Sequence, residues 1–421
     1  CTVGGGCKVV PAAVTLDANW RWVHEATGYD NCFSETGWSS QFCPDGQKCA
    51  ETCAIEGVDA AGYEKVYGVK SLENGVELEF VAQSGNVGSR LYVTDGEDAY
   101  HMFKLKNREF SFDVDVASLA CGMNGALYFI EMDEHGGKGM GSNTAGAKLG
   151  TGYCDAQCPH DVKWQNGIAN VDGEHGMCCF EMDIWEANRE ATAFTPHPCN
   201  VEGAFRCSGV DCGRGEFGER YMGVCDKDGC DLNAYRMGSR DHYGQGANFE
   251  VDSNKPMTVI TQFITENETD EGDLVEIKRL YIQDGRVISH ASSKVPGVPG
   301  NSITDDFCTA QKQAFRDPDD HLAKGGLKKM GEALERGMVL ALSVWDDGAT
   351  NMRWLDSTFP PDDSASRPGV MRGPCDGSTR HPSYLRSAHA SATVKYMNIR
   401  YGEIGSTTSK GAARRLDSIL V

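Results

Sequence analysis

Phe110, Phe112, Val114 and Val116 alternate with Ser111, Asp113 and Asp115. Apolar side chains at every second position put one strand face on a core and the other on polar surroundings. Residues 76–80, 126–130, 257–264, 338–345 and 392–399 also read as strands. Helical periodicity is scarce. It shows at residues 305–315 and at 327–336, where Gly337 follows as a stop. Long glycine-rich connections separate the strands, and 50 of the 421 residues are glycine. This pattern predicts an all-β chain of two packed antiparallel sheets. Sandwiches can exceed the usual domain size, so residues 1–405 read as one domain. Residues 406–421 run from polar to basic to apolar and read as a frayed tail.

Charge and cysteine count narrow the class. The net charge of -21 argues against nucleic acid and anionic membranes as partners. No apolar run approaches the ~20 residues of a membrane span. The 18 cysteines do not repeat a Cys-x-x-Cys pair with matching histidines, which makes zinc a weak reading. Their even number and the start at Cys1 predict a secreted, disulfide-linked chain with its leader removed. The one sequon, Asn267-Glu268-Thr269, sits in an acidic insertion at 266–273 expected to be an exposed hairpin tip.

The candidate chemistry lies in Glu181-Met182-Asp183-Ile184-Trp185-Glu186, directly after Cys178 and Cys179. Acids set among large apolar residues do not read as a solvated face. On a strand, Glu181 and Asp183 share a face, and Glu186 falls on the other unless a bulge intervenes. On a helix, Glu181 and Glu186 diverge, so a bent strand suits a joint task better. Two carboxylates in an apolar setting fit glycosidic bond cleavage. One is ionised as nucleophile or base, and the other keeps a proton for the leaving oxygen. Three acids suit a hard cation or a salt-bridge cluster equally well, and spacing alone leaves those readings open. Trp20 and Trp22, two apart, are expected on one strand face, as core or as a platform for the apolar face of a sugar ring.

Residues Cys178-Cys179-Phe180-Glu181-Met182-Asp183-Ile184-Trp185-Glu186-Ala187-Asn188 resemble the active-site strand of glycoside hydrolase family 7, the cellobiohydrolases and endoglucanases. Further stretches resemble the family in the same order. They are Asp17-Ala18-Asn19-Trp20-Arg21-Trp22, Asn124-Gly125-Ala126-Leu127-Tyr128-Phe129, Gly152-Tyr153-Cys154-Asp155, Thr195-Pro196-His197-Pro198-Cys199 and Trp345-Asp346-Asp347. The likeness runs from about residue 1 to about residue 408. It implies a concanavalin-like β-jelly roll whose long loops roof a substrate groove. It also implies nine disulfides: Cys1–Cys7, Cys32–Cys53, Cys43–Cys49, Cys121–Cys375, Cys154–Cys179, Cys158–Cys178, Cys199–Cys225, Cys207–Cys212 and Cys230–Cys308.

By the same resemblance, Glu181 is the nucleophile, Glu186 the general acid/base and Asp183 the partner that tunes Glu181. A close anion is expected to raise the pKa of Glu186. His197 matches a histidine near the acid/base, although a lone histidine before proline is equally a structural residue. Trp20 matches a residue that stacks a glucosyl unit inside the tunnel, and Trp22 one at its entrance. Asn124, Tyr128, Asp155, Gln157 and Lys163 match groove residues that hydrogen-bond sugar hydroxyls. Trp345 and Trp354 match product-side platforms. Arg220 and Arg372 match arginines that hold the leaving cellobiose, with Asp228 an acid close by. For each arginine a surface ion pair is the plainer reading.

The resemblance thus implies a secreted, retaining β-1,4-glucanase, monomeric, acting on cellulose and cello-oligosaccharides without metal or organic cofactor. Cellobiohydrolase attack from reducing ends fits best, because loops 199–225 and 360–375 keep the expected length. Residues 171–177 are shorter than in tunnel enzymes, and Gly348-Ala349 replace a frequent aromatic pair, so the roof is expected to be partly open. The alternatives are an open-cleft endoglucanase and a non-catalytic, lectin-like glucan binder, since fold does not fix function. A binder has no use for three paired acids. No second module rich in Cys and Tyr is legible, so no carbohydrate-binding module is expected.

Overall fold

The alternating segment around Phe112 forms the strand Glu109–Asp115 at the middle of one of two large sheets. The structure, a computed structural model, describes residues 1–96, 98–214, 219–376 and 380–408. The outer sheet orders its strands Arg286–Ser289, Leu274–Gln283, Met257–Thr265, Glu109–Asp115, Thr393–Gly402, Gly75–Glu79 and Val69–Leu72. The inner sheet runs Ala13–Leu16, Ser89–Thr94, Met338–Asp346, Met123–Ile130, Glu181–Ala187 and Thr192–His197. Pairing along both sheets is antiparallel. The expected β-jelly-roll sandwich is therefore the fold.

Between the sheets, Phe110, Phe112 and Val114 bury fully against Leu127, Phe129, Met182 and Trp185. Phe110 meets Phe129 edge to face at 5.0 Å, and Phe112 meets Trp185 at 6.3 Å. Each side chain buried this way contributes roughly 1.5–3 kcal/mol. The Tyr396 hydroxyl ties the layers together, donating toward the carbonyls of Ala126 at 3.0 Å and Ser343 at 3.1 Å.

All nine disulfides pair as the resemblance implies. The two expected helices form as Asp305–Phe315 and Gly326–Arg336, the second stopped at Gly337. Short helices also form at Gly46–Thr52, Ala60–Tyr67 and Pro382–Ala388, among others. Their signal is local: the Asp45 carboxylate accepts from Lys48 N and the Asp59 carboxylate from Gly62 N, both at 2.7 Å. Residues 266–273 form the expected exposed hairpin tip, and Asn267 lies on it.

Packing continues past residue 405. Glu109, buried in the outer sheet, accepts from the amides of Gly405 and Thr407, both at 3.0 Å, and from Gln262 Nε2 at 2.6 Å. A buried carboxylate needs such donors, so order extends through the start of the expected tail. The rest of that tail, 409–421, lies outside the described residues. Among the described residues, no helix is long and apolar enough to cross a membrane.

Candidate active site

The strand Glu181–Ala187 is braced before it begins. Cys178 is bridged to Cys158 and Cys179 to Cys154, both in one turn. Within that turn Asp155 O accepts from Cys179 N at 3.1 Å, and Ala156 N donates to Glu181 Oε2 at 3.0 Å. The segment that holds the strand thus also supplies a donor to its first carboxylate.

The bulge required by the spacing is present. Against Met123–Ile130, Glu181 pairs with Ile130 and Asp183 with Tyr128, but Trp185 pairs with Leu127 and Glu186 with Ala126. Ile184 is the extra residue, and the register with Thr192–His197 shifts at the same place. Ala126, Tyr128 and Ile130 share one face by alternation. Glu181, Asp183 and Glu186 are therefore all turned to that face, away from the sandwich core. Met182 and Trp185 pack into the core.

Asp183 links the set. Its carboxyl lies within 4.8 Å of that of Glu181, and its Oδ2 lies 3.0 Å from His197 Nε2. His197 Nδ1 lies 2.8 Å from the carbonyl of Asp226. A carbonyl only accepts, so Nδ1 carries a proton. Nε2 is then the ring nitrogen turned to Asp183. The fit is close: a Cβ at Gly229 would lie 2.6 Å from His197 Cε1. Glu186 stands apart, accepting from Asn124 Nδ2 at 2.9 Å.

Burial, more than any neighbour, pushes all three carboxyls well above the usual carboxylate range. Asp183 adds to the rise at both glutamates, so the expected anion effect on Glu186 exists but ranks second to desolvation. Glu181, Asp183 and His197 bring ligand atoms within 4.8 Å of one another, which a metal could use. Calcium, however, asks for six to eight oxygens, and Ala156 and His197 already engage this set. Among the described residues no Lys or Arg pairs with the three acids, which removes the salt-bridge reading.

Trp20 and Trp22 do not stand on a strand. Trp20 lies in the turn after Ala13–Leu16 and Trp22 just ahead of Val23–Glu25. Arg21 between them is buried and donates to Leu16 O and Thr15 Oγ1, both at 3.0 Å, which holds the turn against the preceding strand. Trp20 is half-buried, 5.2 Å from the Arg90 guanidinium, which also covers the Tyr153 ring. Trp22 is 36% exposed.

Arg90 is a floor residue that the sequence reading missed. It is paired to Asp17 at 2.7 Å, and its spacing from Tyr92 on Ser89–Thr94 is the signal that could have found it.

The expected groove residues divide. Asn124 is fully buried with both amide ends engaged, Nδ2 on Glu186 and Oδ1 accepting from Ala187 N at 3.0 Å. It supports the acid and does not present itself to a sugar. Tyr128 and Asp155 meet through Tyr153, whose hydroxyl donates to Asp155 Oδ2 at 2.5 Å and lies 3.2 Å from that of Tyr128. Gln157 Nε2 donates to Lys227 O and Lys163 Nζ to Asn19 O, both at 2.6 Å.

On the other flank, Trp345 sits opposite Asn124 in the sheet, and its ring lies 6.1 Å from that of Trp354. Asp347 fixes this corner by accepting from Trp354 Nε1 at 3.2 Å and from Thr350 N at 3.0 Å. Arg220 and Asp228 form the plainer ion pair, Nε to Oδ1 at 2.7 Å. Desolvation, then repulsion from Arg236, brings the Arg372 pKa down to about 10.

A family model described as glycosyl hydrolase family 7 matches residues 1–408. A solved cellobiohydrolase of that family from Daphnia pulex is 48% identical, covers 94% of each chain and superposes with a TM-score of 0.92. A cellobiohydrolase from Melanocarpus albomyces, complexed with cellotetraose, is 38% identical, covers 96% of this chain and 95% of its own, and gives 0.89. The endocellulase EGI of Humicola insolens is 39% identical, covers 97% and 96%, and gives 0.83.

Proposed function

The chain belongs to glycosyl hydrolase family 7, and from that premise we propose that it is a secreted, retaining β-1,4-glucanase that works chiefly as a cellobiohydrolase from reducing ends. The observation that carries the reading is the bulge at Ile184, which turns Glu181, Asp183 and Glu186 to one buried face. Glu186 gives its proton to the leaving oxygen while a Glu181 oxygen bonds to the anomeric carbon. Water then attacks that carbon, Glu186 takes the water's proton, and Glu181 leaves as carboxylate. The Ala156 amide donates to Glu181 and favours its ionised form. The nine disulfides support secretion. The closer superposition on the two cellobiohydrolases, with TM-scores of 0.92 and 0.89 against 0.83 for the endocellulase, supports the exo assignment.

The pH profile follows from the directions above. Glu181 must be ionised, and its raised pKa means that this form is lost as pH falls through a value above the ordinary ~4.3 of glutamate. Glu186 must be protonated, and its raised pKa keeps the proton to higher pH. Both limbs of kcat/KM against pH should therefore shift upward, with an optimum in the weakly acid range. A rising limb centred at or below pH ~4 on a chromogenic cellobioside would contradict this.

Partial opening of the roof sets the second expectation. The short segment before the catalytic strand is tied down at its tip: Gly173 O accepts from Arg214 Nη1 at 3.2 Å and lies 3.0 Å from His160 Nδ1. Gly348 and Ala349 are exposed and add no aromatic cover. Each sliding step then competes with dissociation, because fewer contacts must break together. Swollen cellulose should release cellobiose, with an intermediate ratio of soluble sugar to new insoluble reducing ends and slight viscosity loss of carboxymethylcellulose. A rapid viscosity collapse with few soluble products would favour the endoglucanase reading. No soluble sugar at all would leave only the glucan binder.

A further inference from the structure

Arg279 is a cation buried to 1% exposure in the sandwich, with no carboxylate partner among the described residues. It belongs to the outer-sheet strand Leu274–Gln283, yet its Nη2 reaches across the core and donates to the carbonyl of Ile184. Its Nε donates to Thr261 Oγ1 at 3.3 Å. The guanidinium lies 4.2 Å from the Phe194 ring and 5.9 Å from that of Tyr281. Phe194 sits on the strand beside the catalytic one, between the residues that pair with Asp183 and Glu186. His242 and His290 complete the cluster around Tyr281, and burial keeps both imidazoles toward their neutral forms. Arg279 is therefore the charged member of that cluster.

Burying a charge without a counter-ion is costly. The Ile184 carbonyl suggests what the charge does. Ile184 is the one residue of the catalytic strand that pairs with neither neighbour at the bulge, and a bulge leaves such a residue outside the ladder. If the bulge relaxed into regular pairing, side-chain alternation would turn Glu186 into the core.

We propose that Arg279 is a positioning residue for the general acid: by holding the Ile184 carbonyl it fixes the bulge that keeps Glu186 on the face of Glu181 and Asp183. Thr261 orients the guanidinium, and the Phe194 ring accepts its face at the point where the register shifts. The proposal rests on Glu186 being the general acid.

The test compares Arg279→Met, Arg279→Lys and Glu186→Gln on two substrates. Cellotetraose has a sugar leaving group, a poor alkoxide that needs the acid's proton. 2,4-Dinitrophenyl β-cellobioside has a leaving group that departs without a proton. Arg279→Met should lose about 10²-fold in kcat/KM on cellotetraose and less than about tenfold on the dinitrophenyl substrate. Arg279→Lys keeps the charge and one donor, and should regain about tenfold on cellotetraose.

A split in Glu186→Gln without one in Arg279→Met overturns the proposal alone. The absence of a split in Glu186→Gln removes the acid assignment and the proposal with it. If Arg279→Met does not fold, Arg279→Lys and Thr261→Val carry the test. They should show the same split at smaller size, and equal losses on both substrates in both variants overturn it.

Discussion

Glu181→Gln should slow turnover of cello-oligosaccharides by at least about 10⁴-fold and leave their binding nearly unchanged. The amide has the shape of the carboxylate and can still accept the Ala156 N–H that reaches Glu181 Oε2 at 3.0 Å. It cannot form the glycosyl ester. A loss of 10⁴ corresponds to about 5.5 kcal/mol of transition-state stabilisation, whereas ground-state contacts to the sugar come from side chains the substitution does not touch. Folding should not suffer, because burial already opposes ionisation of this carboxyl. Cellobiose release gives kcat, and calorimetry with cellotetraose gives Kd. If the variant kept more than about a tenth of the parental rate, less than about 1.4 kcal/mol would have been lost, and another group would have to be the nucleophile.

The fold was legible where burial follows a short period. Phe110, Phe112 and Val114 alternate because one face of their strand is core. The strand Leu274–Gln283 was not, because Lys278 and Arg279 give it a surface composition. Arg279 in fact points inward, where its guanidinium meets the carbonyl of Ile184, 95 residues away. Thr192–His197 carries Pro196, which argues against a strand in sequence and is tolerated at this sheet edge. The strand expected to carry Trp20 and Trp22 is absent, because residues 18–20 form a turn that a two-residue spacing of indoles does not reveal.

The catalytic strand itself was readable as a condition. Three acids at these positions can act together only if a bulge falls after Asp183, and one does. What the sequence could not show is which neighbours serve the acids. Asn124 belongs to a strand 62 residues away and is spent on Glu186. Ala156 reaches Glu181 through a backbone amide that carries no side-chain signature.

Glu186→Gln should separate the two half-reactions. In the first, a sugar leaving group needs a proton as its bond to the anomeric carbon breaks, and Glu186 supplies it. An amide keeps the contact with Asn124 Nδ2 through its oxygen but has no acidic proton, so hydrolysis of cellulose and cellotetraose should fall about 10³-fold. 2,4-Dinitrophenolate leaves without protonation, so kcat/KM for its cellobioside should stay within about tenfold of the parent.

The second half-reaction also uses Glu186, now as the base toward water. The variant should therefore release a burst of dinitrophenolate and then stall with the cellobiosyl group on Glu181. Azide is a nucleophile that needs no base, so it should restore turnover. It attacks the carbon on the side opposite the α-linked ester, and the product of a retaining route is the β-azide. An α-azide would mean a single direct displacement and would refute the covalent intermediate. Equal losses on the two substrates would refute the acid role, and the buried rise in the Glu186 pKa would then need another purpose.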